Sequence, residues 1–234
     1  MRKPKEHTKG EKMKKASVVL ICLMMLGYPG AGVAATAAGK GVASGGEAAR
    51  QKLADGNRRY AEGRLSRPNQ TAERRTEVAN GQHPFAAILT CSDARVPPEV
   101  IFDQGLGDLF VVRLAGNILN DAALGSLEYA VEHLGVKHIM VLGHERCGAV
   151  TATIKGGEVS GPIGSLVKAI RPAVDKVKNQ PGDLVENAVR ANVAMVVQQL
   201  KSSGPILAEL VKQGELTIDG AIYDLDDGKV AILP

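Results

Sequence analysis

Residues 85–95, FAAILTCSDAR, and residues 138–148, HIMVLGHERCG, govern the reading of the whole chain. Each begins as a short apolar run, Phe85 to Leu89 and His138 to Leu142, and breaks abruptly into polar residues. Such a run reads as a buried strand that hands its next residues to a loop or a helix start. In open α/β sheets the carboxyl ends of the strands are where ligands bind. The two stretches therefore deliver Cys91, His144 and Cys147 to one sheet edge, with Asp93 and Arg95 beside them. Two thiolates and an imidazole suit a single Zn²⁺, and such a set leaves a fourth position open for catalysis. Asp93 and Arg95 alternate with Cys91 and share its side of the chain. A carboxylate there accepts a hydrogen bond from the metal's water, and a bidentate arginine holds it ionised.

Working outward, strands alternate with helices. Expected strands are 85–89, 108–113, 138–142, 216–223 and 230–233. Helical spacing covers 47–62, 71–80 (with Thr71 as its cap), 122–133, the stretch from Cys147 to Ile154, and 162–212 with breaks near Pro181-Gly182 and Gly204-Pro205. Val189, Val193, Val196, Val197 and Leu200 make one apolar helical face. Asp226-Asp227-Gly228-Lys229 reads as a hairpin turn before the last strand. The predicted fold is α/β: a mostly parallel central β-sheet with an antiparallel C-terminal edge strand, helices on both faces and an N-terminal helical arm. An amphipathic arm of this kind often packs on another subunit.

The first residues read as an address. Seven Lys/Arg precede an apolar run from Ala16 to about Gly27, and small residues follow at 30–35. This is the pattern of a secretory signal peptide over 1–35, cleaved near Ala34 or Ala35, with a flexible leader over 36–46 and a single domain over 47–234. The apolar run is shorter than the roughly 20 residues a membrane span needs. Ile21 precedes Cys22 where a lipoprotein signal wants a small residue. Removing residues 1–34 takes 7 of the 29 basic and 2 of the 25 acidic residues, leaving 22 against 23 and a formal charge of −1. The basic balance of the full chain is therefore no argument for nucleic acid or an anionic membrane. The expected location is exported, periplasmic.

Cys22 leaves with the signal, so the mature chain holds two cysteines. In an oxidising compartment a Cys91–Cys147 disulfide is the competing assignment. It leaves Asp93, Arg95 and His144 gathered at the same edge without a purpose. His83, His133 and His138 stand at loop or element ends and are assigned no ligand role.

Cys91-Ser92-Asp93-Ala94-Arg95, then Gly107 to Arg113, Ala115-Gly116-Asn117, Glu128-Tyr129-Ala130 and His144-x-x-Cys147-Gly148 resemble, in order, a β-class carbonic anhydrase of the plant-like, open-site subgroup. The resemblance runs from about residue 47 to the C-terminus. It implies Cys91, His144 and Cys147 as ligands of one Zn²⁺ per chain and Asp93–Arg95 as the catalytic dyad. It implies Gln82, nine residues before the first cysteine, as a hydrogen-bond donor to substrate. Phe110, Ala115, Tyr129 and Gly148 fall on its substrate pocket. Ala94 stands where the family usually has serine, and Leu114 where it often has asparagine.

The reaction implied is reversible hydration of CO₂ to bicarbonate and a proton by zinc-bound hydroxide, in a homodimer or a tetramer of dimers. Zinc on three histidines lowers its water's pKa to about 7 in carbonic anhydrases. The thiolates here donate more charge and raise it, so activity favours alkaline pH. Two further assignments use the same residues: the same site acting on COS or CS₂, and a non-catalytic zinc or redox module.

Overall fold

The computed structural model describes residues 45–157 and 160–234. The signal peptide and most of the leader lie outside the described residues. Three parallel strands begin the sheet: β1 (Ala86–Thr90), β2 (Leu109–Arg113) and β3 (His138–His144). Strand β4 (Thr217–Tyr223) adds to β3 in parallel, and β5 (Val230–Ile232) closes the far edge antiparallel, giving the order β2-β1-β3-β4-β5. Every residue of β1 and β3 is buried, as expected of parallel strands covered on both faces. The predicted architecture is the observed one.

The helices divide between the two faces. One face carries α1 (Gly45–Ala61) and α3 (Pro98–Ile101), which enclose Leu53, Ile88, Ile101, Phe102, Met140 and Leu142. The other carries α4 (Asp121–Glu132), α5 (Gly148–Lys155), α6 (Ile163–Val177), α7 (Leu184–Ser202) and α8 (Ile206–Lys212) over Leu89, Ile139 and Val141. The short α2 (Ala72–Val78) buries no side chain, and Thr71 caps it by accepting from the Arg74 amide, as expected. The apolar face expected on α7 is buried on the sheet. It seats closely because two strands offer glycine there. A Cβ on Gly143 would lie 2.5 Å from Val193 Cγ2, and one on Gly220 would lie 2.8 Å from Val193 Cγ1.

Boundaries differ from expectation at several element ends, among them those of β3 and α1. Strand β3 continues through His144, because Gly143 and His144 pair with Ile222 and Tyr223 of the longer β4. The sequence signal ended at Leu142 because it follows polarity, and backbone pairing does not. Gly45 and Gly46, assigned to the leader, open α1. That helix lays Ala49 and Leu53 on its own sheet.

Asp103 ties α1 and the following loop to this face. Its buried carboxylate accepts from Arg59 Nε at 2.6 Å, Ser66 N at 3.0 Å, Ser66 Oγ at 2.8 Å and Arg67 N at 2.8 Å. Burial alone would raise its pKa, but the arginine and the donors from Ser66 and Arg67 outweigh that and bring it down to about 2. A carboxyl depressed on folding stabilises above its unfolded pKa near 4 and loses that contribution as pH falls through 2. Asp103→Asn should therefore cost roughly 2 kcal/mol at pH 7 and almost nothing extra at pH 2. Urea unfolding of both proteins at the two pH values checks this.

Candidate metal centre

Thr90 pairs with Arg113 on one side and Leu142 on the other, so β1 and β3 run level where β1 ends. Cys91 leaves β1 at that level, and His144 ends β3 two residues further on. Cys147 caps the amino end of α5 after a tight link in which Arg146 takes a left-handed φ of 49°. The ligand atoms of Cys91, His144 and Cys147 lie within 4.8 Å of one another, and all three residues are buried. Both cysteines are free thiols, not a disulfide.

Each donor is held from behind. His144 Nδ1 lies 2.8 Å from the Glu145 carbonyl oxygen, which can only accept, so Nδ1 carries the ring proton. Nε2 then presents a lone pair, and it is buried without a hydrogen-bond partner. Cys91 Sγ accepts the Gly116 amide at 3.2 Å. Sharing one proton with Cys147 pulls Cys91 down to about 4, and the His144 ring and the Gly116 amide act the same way against its burial. The same shared proton, with burial, pushes Cys147 up, opposed by the Val150 and Ala149 amides at the start of α5. Two buried thiols and an orphaned histidine lone pair lie within 4.8 Å of one another. This donor set fits Zn²⁺.

Asp93 Oδ2 lies 3.8 Å from His144 Nε2. Arg95 grips this carboxylate with Nε at 2.9 Å and Nη2 at 2.8 Å, and the Arg95 backbone amide adds a third bond at 3.0 Å. This bidentate pair is chiefly what holds Asp93 far below the usual carboxylate range. Sequence reasoning assigned no role to Arg113, which donates to the Cys91 carbonyl at 3.0 Å and the Asp93 carbonyl at 2.6 Å. As the last residue of β2 it clamps the turn that carries the first ligand and the dyad. Gly116 and Asn192 were also missed as contributors. A glycine in a turn and an asparagine inside an apolar helical face carry no signal of what they will touch.

The substrate-pocket candidates divide. Ala115 opens the short turn Ala115–Asn117 beside Cys91, and Gly148 follows Cys147 on the exposed start of α5. Gln82, Phe110 and Tyr129 are not brought to the cysteines of their own chain. Gln82 is exposed before the amino end of β1, and Ala86 to Cys91 alone spans about 17 Å of extended chain. Phe110 pairs with Ala87, four residues or about 13 Å short of Cys91. Its ring stacks at 6.4 Å on Tyr129, which is 48 % exposed and stacks in turn at 5.1 Å on His133.

Residues 86–230 match the family model described as carbonic anhydrase. Carbonic anhydrase 2 of Mycobacterium tuberculosis is 40% identical over 189 residues, covering 79% of this chain and 91% of that one. A Coccomyxa β-carbonic anhydrase solved with acetazolamide superposes with a TM-score of 0.63 at 29% identity, over 76% of this chain and 83% of that one. One of two tetrameric β-carbonic anhydrases from Sordaria macrospora gives 0.61 at 27% identity, over 68% and 84%.

Gly116 takes φ 72° and ψ 22°, and a Cβ there would lie 2.6 Å from Ile170 Cδ1 and 3.1 Å from Ala149 Cβ. Gly116→Ala should destabilise the fold by about 2 kcal/mol through left-handed strain and overpacking. It should also weaken metal retention about tenfold, the worth of one displaced hydrogen bond to a charged sulfur. Thermal unfolding and chelator competition read the two effects separately.

Proposed function

The chain belongs to the β-class carbonic anhydrases, enzymes of the carbonate dehydratase class, and from that premise we propose how its residues perform the reaction. Cys91, His144 and Cys147 hold one Zn²⁺. The observation that carries this is the orphaned, buried His144 Nε2 within 4.8 Å of two free thiols, with Asp93 Oδ2 beyond it at 3.8 Å. Zinc held there supplies the Lewis acidity that makes a water nucleophilic near neutral pH.

The protein's own residues do the rest. Asp93, kept ionised by Arg95, accepts a hydrogen bond from the attacking water and so fixes which lone pair faces CO₂. Because both carboxylate oxygens are held by Arg95, Asp93 would be kept from ligating a zinc bound there, as in the plant-like subgroup. Arg113 holds the Cys91–Asp93 backbone, which keeps ligand and dyad in one rigid turn. Ala115 and Gly148 border the site with small residues that leave room for a linear triatomic substrate.

The pocket is completed by a second copy of the chain. Gln82, Phe110 and Tyr129 cannot serve the cysteines of their own chain, yet Phe110 and Tyr129 lie at the open edge of the sheet and Gln82 is exposed before β1. Strand β2 is that edge, and its five residues, LFVVR, are all only half-buried. An apolar edge strand flanked by the exposed Leu106 and Tyr129 is a surface proteins cover. A homodimer or a tetramer of dimers places these residues over the partner's site. Gln82 then steadies a substrate oxygen, while Phe110 and Tyr129 form the apolar wall against which CO₂ rests. The tetrameric state stated for the Sordaria macrospora enzymes supports the reading.

The mature enzyme acts outside the cytoplasm, in the periplasm, after removal of residues 1–35. The support is the basic, apolar and small-residue succession at the N-terminus. Among the described residues no helix is long and apolar enough to cross a membrane.

Stopped-flow CO₂ hydration from pH 7 to 9, with metal content and light scattering on the same sample, tests the reading. Expected are about one zinc per chain, a rate that rises with pH, and a dimer or a multiple of it. Zinc without hydration at any pH would sink the enzymatic assignment of the site. Asp93→Asn should keep its zinc and lose roughly a hundredfold in kcat. Intact-mass analysis of the protein from a Gram-negative host should show cleavage near Ala34 or Ala35, and an unprocessed chain in the cytoplasmic fraction overturns the export proposal.

A further inference from the structure

Helix α7 buries one polar side chain within its apolar face. Asn192 is 1% exposed and lies between Val189 and Val193 in the stretch that packs on the sheet. Its Nδ2 donates to the Gly116 carbonyl at 2.8 Å. A carbonyl oxygen can only accept, so the amide orientation is determined, and Oδ1 is left buried without a partner. Leaving a buried acceptor unsatisfied costs about 1–3 kcal/mol, and a valine or leucine would fill this helical position at no such cost. The asparagine is stabilising something that an apolar residue could not.

What it holds is the residue that hydrogen-bonds the first cysteine. Gly116 donates its own amide to Cys91 Sγ at 3.2 Å from a left-handed conformation. Glycine has little intrinsic preference for that conformation. The chain before it is fixed, since Leu114 N donates to the Thr90 carbonyl and Asn117 N to the Leu114 carbonyl. The carbonyl after it is fixed by Asn192. We infer that Asn192 is a positioning residue for the metal centre: through Gly116 it directs an N–H at Cys91 Sγ and so sets the electron density that this thiolate offers the metal. The inference rests on the reading of Cys91 as a metal ligand. Asn192 touches neither substrate nor metal and acts only through Gly116. Its place on α7 is set in turn by Val193 resting on Gly143 and Gly220, so the α7–sheet contact and the metal centre are connected through two consecutive residues.

The test is made on the full-length mature protein loaded with ¹¹³Cd in place of zinc. A hydrogen bond to a metal-bound sulfur transmits scalar coupling from the metal to the amide proton, so Gly116 should show a coupling to cadmium. In Asn192→Leu that coupling should vanish and the Gly116 amide should exchange with solvent about tenfold faster. Asn192→Ala repeats the test with no added bulk should the leucine variant fail to fold. Val193→Ala, which loosens the same helix one residue away, should keep the coupling. A cadmium-loaded protein with no coupling at Gly116 overturns this proposal alone. So does a folded Asn192 variant that retains the coupling, or a Val193→Ala protein that loses it equally. A protein that takes up no cadmium overturns the metal reading and this proposal with it.

Discussion

Burying two thiols and an imidazole together at the end of a dry sheet is the constraint on which the rest of this structure depends. Thiolates removed from water are costly unless their charge is met by donors or a cation. The surroundings of Cys91 and Cys147 are arranged to meet that cost. The Gly116 amide faces one sulfur, and the first free amides of α5 face the other, adding the favourable field of a helix N-terminus. The level ends of β1 and β3 make this possible, because adjacent parallel strands deliver successive ligands to the same height without a long loop. His144 Nε2, buried without a partner beside both sulfurs, completes a donor set of the kind that holds Zn²⁺.

Outside that buried set, the polarity reverses. Asp93 lies beside the ligands, and its carboxylate is engaged by Arg95 through both oxygens. An acid left free at 3.8 Å from His144 Nε2 would compete for the metal. Pairing with arginine occupies both of its oxygens. The half-exposed Arg95 keeps this pair at the solvent side, whereas Arg113 works from beneath by binding two backbone carbonyls. One guanidinium sets charge and the other sets shape. A lysine in either place would lose the two-pronged geometry.

The open β2 edge shows why a single chain is not the functional unit proposed. Its half-buried Phe110 meets Tyr129, and Tyr129 meets His133, in a run of rings whose last two are exposed. Every other strand except the terminal β5 has neighbours on both sides. The strand that carries Arg113 to the Cys91 turn is thus also the one a second copy would cover, which would couple assembly to the stiffness of the site.

The amino-acid sequence by itself determined the alternation of strands and helices, the antiparallel closing strand, and the gathering of Cys91, Asp93, Arg95, His144 and Cys147 at one edge. Those follow from local periodicity and from residue types whose chemistry is narrow: a run of buried apolar residues ends where a ligand-bearing turn begins, and a histidine two residues on cannot hide its purpose. Only the tertiary structure decided the parts that depend on backbone groups and on registers between distant segments. The length of β3 depended on the length of β4. Gly45 and Gly46 read as leader and became helix. Arg113, Gly116 and Asn192 acquired their tasks because strand pairing and the seating of α7 brought a guanidinium, an N–H and an amide to Cys91 from 22, 25 and, through Gly116, 101 residues away. Such contacts leave no periodic trace, since the sequence records side chains in order while hydrogen bonds are made in space.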